Sequence, residues 1–140
     1  MTIETRAADI AEDFDFLDDW EDRYAHIIDL GKANAPLLEH ERNEDTRVRG
    51  CASQVWMVIT PDSNAYNIRA ESDAMIVSGL IALVVQLYSG ATTTEIKAFD
   101  AKAFFDKIGV SSALSAQRSN GLASMLERIR YTAASHATQG

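Results

Sequence analysis

The sequence predicts an α+β fold in which a small antiparallel sheet, about three strands, is packed by helices. Three observations predict it. Apolar residues recur at helical spacing towards both ends of the chain, from Ile10 to Ile28 and from Leu122 to Ile129. Between them, residues 54–60 and 65–71 are rich in strand-favouring side chains and flank Pro61-Asp62-Ser63-Asn64, a turn sequence. After that hairpin, Met75 to Tyr88 is apolar on nearly every side, the pattern of a buried central helix. Two strands alone would be marginal, so helices must cover one face of the sheet.

Residues 4–32 read as helix with a break. Ile10, Phe14 and Leu17 share one face, and Trp20, Tyr24, Ile27 and Ile28 continue the period beyond the break. Asp18 can cap the second helix with Glu21 as its capping-box partner, and Gly31 lies near its stop. Trp20 and Tyr24, one turn apart, are expected as core anchors. From Ala33 to Arg49 the pattern fades, and Glu39–Asp45 reads as a wet segment with some local helix or mobility. Val48-Arg49 can add a third short strand.

Either Ser72 or Asp73 can cap the apolar helix, in which Gly79 allows close approach of a neighbour before Ser89-Gly90 ends it. Thr92-Thr93-Thr94-Glu95 starts a short helix ending near Phe99, and Asp100 caps another that Gly109 terminates. Ser111–Ser115 is a capping loop. The last helix spans about 117–134, with Leu122, Met125, Leu126 and Ile129 as its stripe and a fraying tail from 135 to 140.

A length of 140 residues suits one domain, with an ordered core of about 10–135. Thirteen basic against 21 acidic side chains give a net charge of −8, which disfavours nucleic acid and anionic membrane surfaces as partners. The charge is uneven: residues 1–21 carry eight acids against Arg6 alone. The N-terminus has no apolar stretch of signal-peptide length, and a free thiol suits a reducing compartment, so a cytoplasmic protein is expected.

Cys51, the one cysteine, excludes an internal disulfide and a thiolate metal cage. It stands among small and polar neighbours, Arg49-Gly50-Cys51-Ala52-Ser53-Gln54, at the mouth of a strand. Two readings stay open there: a packed inert thiol and a reactive one. His26, His40 and His136 have no metal-motif spacing, and none is marked as the base of a hydrolase. A lone nucleophilic thiol suits exchange at sulfur, where the second reactive sulfur arrives on another molecule. Gly50 and Ala52 would admit that partner, and Ser53, Gln54 or backbone amides could donate to a thiolate.

Val48-Arg49-Gly50-Cys51-Ala52-Ser53-Gln54-Val55-Trp56 resembles the signature loop of the SufE/CsdE family, sulfur acceptors for cysteine desulfurases in iron–sulfur cluster assembly. The resemblance extends to Trp20-Glu21-Asp22-Arg23-Tyr24 with Ile27-Ile28-Asp29-Leu30-Gly31, to Ser72-Asp73-Ala74 with Gly79-Leu80, and to Arg118-Ser119-Asn120-Gly121-Leu122. It covers about residues 10–135 and implies a fold similar to IscU-type scaffolds. It further implies that Cys51 takes a persulfide sulfur from a desulfurase of the SufS/CsdA type, stimulates it, and passes the sulfur to a SufBCD-type scaffold or another acceptor. The chain would then be a transfer partner rather than an enzyme, monomeric or weakly dimeric. It would need no cofactor, because pyridoxal phosphate belongs to the desulfurase. Supporting roles fall on Gly50, Ser53, Gln54, Asp73 and Arg118; for Asp73 these are an N-cap or a restraint on the cysteine loop, for Arg118 a place near the loop or a helix start. Ser78 and Ala116 depart from the family's usual basic residue and proline. The alternatives are a protein-binding module with a structural cysteine and an IscU-like scaffold.

Overall fold

The computed structural model describes residues 2–17, 19–50, 54–62, 65–110 and 114–139. Helices α1 (Ile3–Asp15) and α2 (Trp20–Lys32) are followed by a 3₁₀ turn at Glu39–Glu41 and by the hairpin β1 (Val55–Asp62) and β2 (Ala65–Ser72). Helices α3 (Met75–Tyr88), α4 (Thr93–Ala98), α5 (Ala101–Lys107) and α6 (Ala116–Gln139) complete the chain. The architecture is the expected α+β one, with a two-stranded sheet among the described residues rather than about three strands.

The sheet's inner face follows from the alternation. Val55, Met57, Ile68, Ala70 and Ser72 are buried, and in the register Val55 opposes Ser72 and Met57 opposes Ala70. Pro61, expected in the turn, instead pairs with Tyr66 inside the ladder. The Tyr66 N–H donates outward to the Ala91 carbonyl at 3.0 Å, so this pair exchanges no hydrogen bond and the missing proline N–H costs nothing. The third strand shrinks to one bridge between Arg47 and Trp56, in which Val48 N donates to Val55 O and Met57 N to Thr46 O, each at 2.8 Å. Arg128 of α6 covers the outer side of that bridge: its Nη1 donates to the outward Arg47 carbonyl at 3.1 Å and its Nη2 to the Asp45 carbonyl, which closes that edge to a further strand.

Helix α3 is the buried centre, with Leu80, Ile81, Leu83, Val84, Leu87 and Tyr88 at 1% exposure or less. Its closest neighbour is α2. A Cβ on Gly79 would fall 2.0 Å from the Ile27 carbonyl oxygen, and one on Gly31 would fall 2.6 Å from the Gly79 nitrogen. Gly31 therefore lies inside α2 for backbone approach, and the helix ends one residue later at Lys32. The cap of α2 is Asp19, whose carboxylate accepts from Asp22 N at 2.8 Å; Asp18, the expected cap, lies outside the described residues.

The remaining helix starts follow their signals. Thr92 and Glu95 form the capping box of α4, and Asp100 Oδ1 accepts from Ala103 N at 3.0 Å to cap α5. Glu95 also accepts from Ile3 N at 2.8 Å, and these backbone bonds hold its carboxyl below the usual range. Helix α6 begins at Ala116 and runs to Gln139, past the expected end at 134, since after Gly121 in its second turn neither glycine nor proline recurs before Gly140. Trp20 is no core anchor: it is 45% exposed. The wet segment is tied down through Glu41, which receives Arg69, and Arg42, which reaches Glu71 at 3.1 Å. No helix among the described residues is long and apolar enough to cross a membrane.

The Gly79 contact makes a sharp expectation. In an open helix Gly→Ala gains about 1 kcal/mol, whereas Gly79→Ala should lose about 3 kcal/mol through the clash with Ile27, measured by urea denaturation. The Glu41 carboxyl, pulled down to about 2 first by its bond from Arg69 and next by the Leu38 N–H, should titrate in the stability profile. Its folded value lies below the ordinary 4.5, so its contribution is complete above that pH and disappears as pH falls towards 2. Wild type should exceed Glu41→Gln in denaturation midpoint at neutral pH, and the two should converge at the acid end.

Candidate functional site

The site is a chain reversal built on the edge bridge just described. Val48 and Val55 are joined by a backbone bond of 2.8 Å, so the chain that leaves this bridge through Arg49 returns to it through Gln54. Cys51, Ala52 and Ser53 lie outside the described residues, and the geometry is that of the two legs that carry them.

The first leg is held by α6. Gly50 has φ +87°, a left-handed backbone that glycine adopts without strain. A Cβ there would stand 2.5 Å from Ser124 Oγ, so the leg lies against the helix and a side chain would have to displace that hydroxyl. Four residues on, on the same face of α6, Arg128 grips the Asp45 and Arg47 carbonyls. Arg49 reaches outward to Glu44 at 2.6 Å, an exposed pair.

The second leg is held by Asp73. The hydrogen-bonded positions of the hairpin alternate, and Gln54 and Asp73 continue the series one pair beyond Val55 and Ser72. Asp73 N donates to Gln54 O at 3.3 Å, as a ladder partner would. In return Gln54 N donates to the Asp73 carboxylate, Oδ1, at 3.1 Å, so a side-chain oxygen takes the place of the backbone carbonyl as acceptor. The N-cap position of α3 belongs to Ala74 and has no side-chain cap bond, which corrects the expectation that Ser72 or Asp73 caps it. Ser72 Oγ instead accepts from Ala74 N at 3.2 Å, and its carbonyl accepts from Ser78 Oγ at 3.2 Å.

Gly50, Gln54 and Asp73 are thus brought to one reversal, while the expected donor Ser53 lies outside the described residues with Cys51. Arg118 is exposed near the start of α6, where its N–H donates to Ser115 Oγ at 3.3 Å; its guanidinium has no hydrogen bond or ion pair among the described residues. Sequence reasoning missed Ser124 and Arg128. The available signal was their four-residue spacing beside the apolar stripe of the last helix. His26 packs edge-on to Phe14 at 5.3 Å, and among the described residues no three His, Cys, Asp or Glu side chains gather as metal ligands.

A family model described as SufE: Fe-S metabolism associated domain matches residues 8–133. An uncharacterized SufE-like protein of Rhizobium etli is 51% identical over 128 residues, covering 89% of this chain and 86% of that protein. Another from Rhizobium meliloti is 46% identical over 128 residues, covering 89% and 91%. The solution structure of a hypothetical protein from Thermus thermophilus superposes with a TM-score of 0.78 over 95% of this chain and 96% of that one. At 16% identity that likeness shows a shared fold.

Replacing Asp73 by Ala should release the Gln54 amide. The expected cost is about 1 kcal/mol, read as severalfold faster hydrogen exchange at Gln54, with the Val48 amide unchanged. Asp73→Asn, which keeps an acceptor, should fall between the two.

Proposed function

This chain belongs to the SufE family, whose general role is sulfur transfer in iron–sulfur metabolism, and on that premise we propose that it takes a persulfide sulfur onto Cys51 from a cysteine desulfurase of the SufS/CsdA type. The observation that carries this reading is the paired anchoring around the sole cysteine: Gly50 against α6 before it, and Gln54 bonded to Asp73 after it. A thiol that must meet a sulfur on another protein gains from a short loop whose ends are fixed, because orientation is then set before the encounter.

The chemistry balances without a metal or an external oxidant. The Cys51 thiolate attacks the terminal sulfur of the partner's protonated persulfide; the new S–S bond forms as the old one breaks, and the electron pair leaves on the partner's cysteine as thiolate. Cys51 then holds the transferred sulfur with its proton. Passage to a SufBCD-type scaffold or another acceptor repeats the exchange with an incoming thiolate. Removal of the persulfide product accounts for stimulation of the desulfurase. The pyridoxal phosphate works on the partner, so this chain acts as a carrier rather than as the enzyme, in a reducing compartment such as the cytoplasm. The small sheet backed by helices fits the IscU-type likeness that the family implies, while one cysteine favours carrying sulfur over holding a cluster.

The test is incubation with a turning-over desulfurase, cysteine and pyridoxal phosphate, followed by mass mapping. Wild type should become heavier by one sulfur atom at Cys51, and Cys51→Ser should fold normally and remain unloaded. A wild-type chain that never gains mass at that side chain beside a compatible donor would overturn the proposal.

A further inference from the structure

Between α1 and α2 the structure turns aromatic side chains outward. Phe16, the C-cap of α1, is 79% exposed, and Trp20, the first residue of α2, is 45% exposed. The Trp20 ring lies nearly parallel to that of Tyr24, with centroids 4.7 Å apart and planes 18° from one another. The backbone beneath them is pinned. Arg23 Nε donates to the Leu17 carbonyl at 3.1 Å, Phe14 meets His26 edge-on, and Asp19 caps α2. These rings are therefore displayed from anchored helix ends.

The exposed charges around the rings are acidic, and the one cation of the corner among the described residues, Arg23, is half-buried with its Nε on the Leu17 carbonyl. Glu12, Asp13, Asp15 and Glu21 are all exposed, and none of them enters an ion pair among the described residues. Uncovered aromatic faces beside uncompensated carboxylates are complementary to one side-chain chemistry above others. A guanidinium can stack flat on an indole or phenol ring while its N–H fork bonds a carboxylate, whereas a lysine ammonium is a strongly hydrated point charge. The same carboxylates repel the phosphates of nucleic acid and of anionic lipid.

We propose that this corner is a docking surface for an arginine-bearing, apolar-faced segment of a partner protein. The inference goes beyond sulfur chemistry and does not rest on Cys51. Phe16 and the Trp20–Tyr24 stack supply the apolar contact, and the flanking acids set its charge preference.

The test uses three synthetic amphipathic helices of equal length, with a leucine face and a second face of Arg, Lys or Glu. In a Trp56→Phe background Trp20 is the sole tryptophan, so its emission reports occupancy directly. The Arg peptide should shift that emission and bind about ten-fold tighter than the Lys peptide, and the Glu peptide should not bind. Calorimetry on the otherwise wild-type chain should show Phe16→Ser with Trp20→Ala weakening the Arg peptide by about ten-fold or more, with the circular dichroism of the folded state retained. Tyr131→Ala, an exposed aromatic on α6, should leave binding unchanged. Equal binding of the Glu peptide, or full binding by the doubly substituted chain, would overturn the proposal. Self-association by sedimentation that the same two substitutions abolish would also overturn it, making a second copy the occupant.

Discussion

The backbone crossing of α2 and α3 is the constraint from which the other placements follow. With Gly79 against the Ile27 carbonyl and Gly31 against Gly79, the two helices meet closer than any side chain would allow. Helix α3 is also the body on which the inner face of the sheet rests, and the chain enters it directly from β2 through Ser72, Asp73 and Ala74. The position of the Asp73 carboxylate is therefore a consequence of where α3 sits. A displacement at the crossing would move the acceptor that holds Gln54, on the opposite side of the helix start, without touching the loop itself.

Much of this was legible in the residues because the deciding interactions are local. The hairpin, the Thr92–Glu95 capping box, the Asp100 cap and the break between the first two helices each depend on side chains within a few positions of one another. What escaped depends on neighbours distant in sequence. Trp20 shares the helical stripe of Tyr24 and Ile27, but periodicity gives the direction of a side chain and not whether anything stands opposite it; at the first residue of α2 the ring is left half exposed. Val48-Arg49 has the composition of a strand, yet the pairing is a single bridge between Arg47 and Trp56, and the outward carbonyl of Arg47 is taken by Arg128, 81 residues further on.

The candidate site divides the same way. Gly50, Gln54 and Asp73 could be named from the motif, since a family pattern preserves the record of contacts that one sequence does not spell out. Their roles could not. Asp73 preceding an apolar helix is a cap by every local rule. It serves instead as the last rung of the hairpin, its N–H donating to the Gln54 carbonyl and its carboxylate accepting from the Gln54 N–H. Ser124 has only its spacing from Arg128 as a local sign, and the left-handed Gly50 laid against it gives its position meaning.

On the proposed reading, sulfur exchange makes few demands on a carrier. Thiolate attack and thiolate departure balance each other, so neither an oxidant nor a metal must be held. What the carrier must supply is geometry: a sulfur presented on a short span, with each end of that span fixed to a different part of the core. Gly50 is fixed through packing on α6 and Gln54 through hydrogen bonds to the entrance of α3. The two anchors differ in kind. The first combines a left-handed backbone at Gly50 with close approach to Ser124, which favours glycine there. The second is polar and exposed, so its strength is modest and its loss leaves the core intact. On the proposed reading, the protein's contribution to transfer lies in these two contacts and in the helix crossing that keeps them in register.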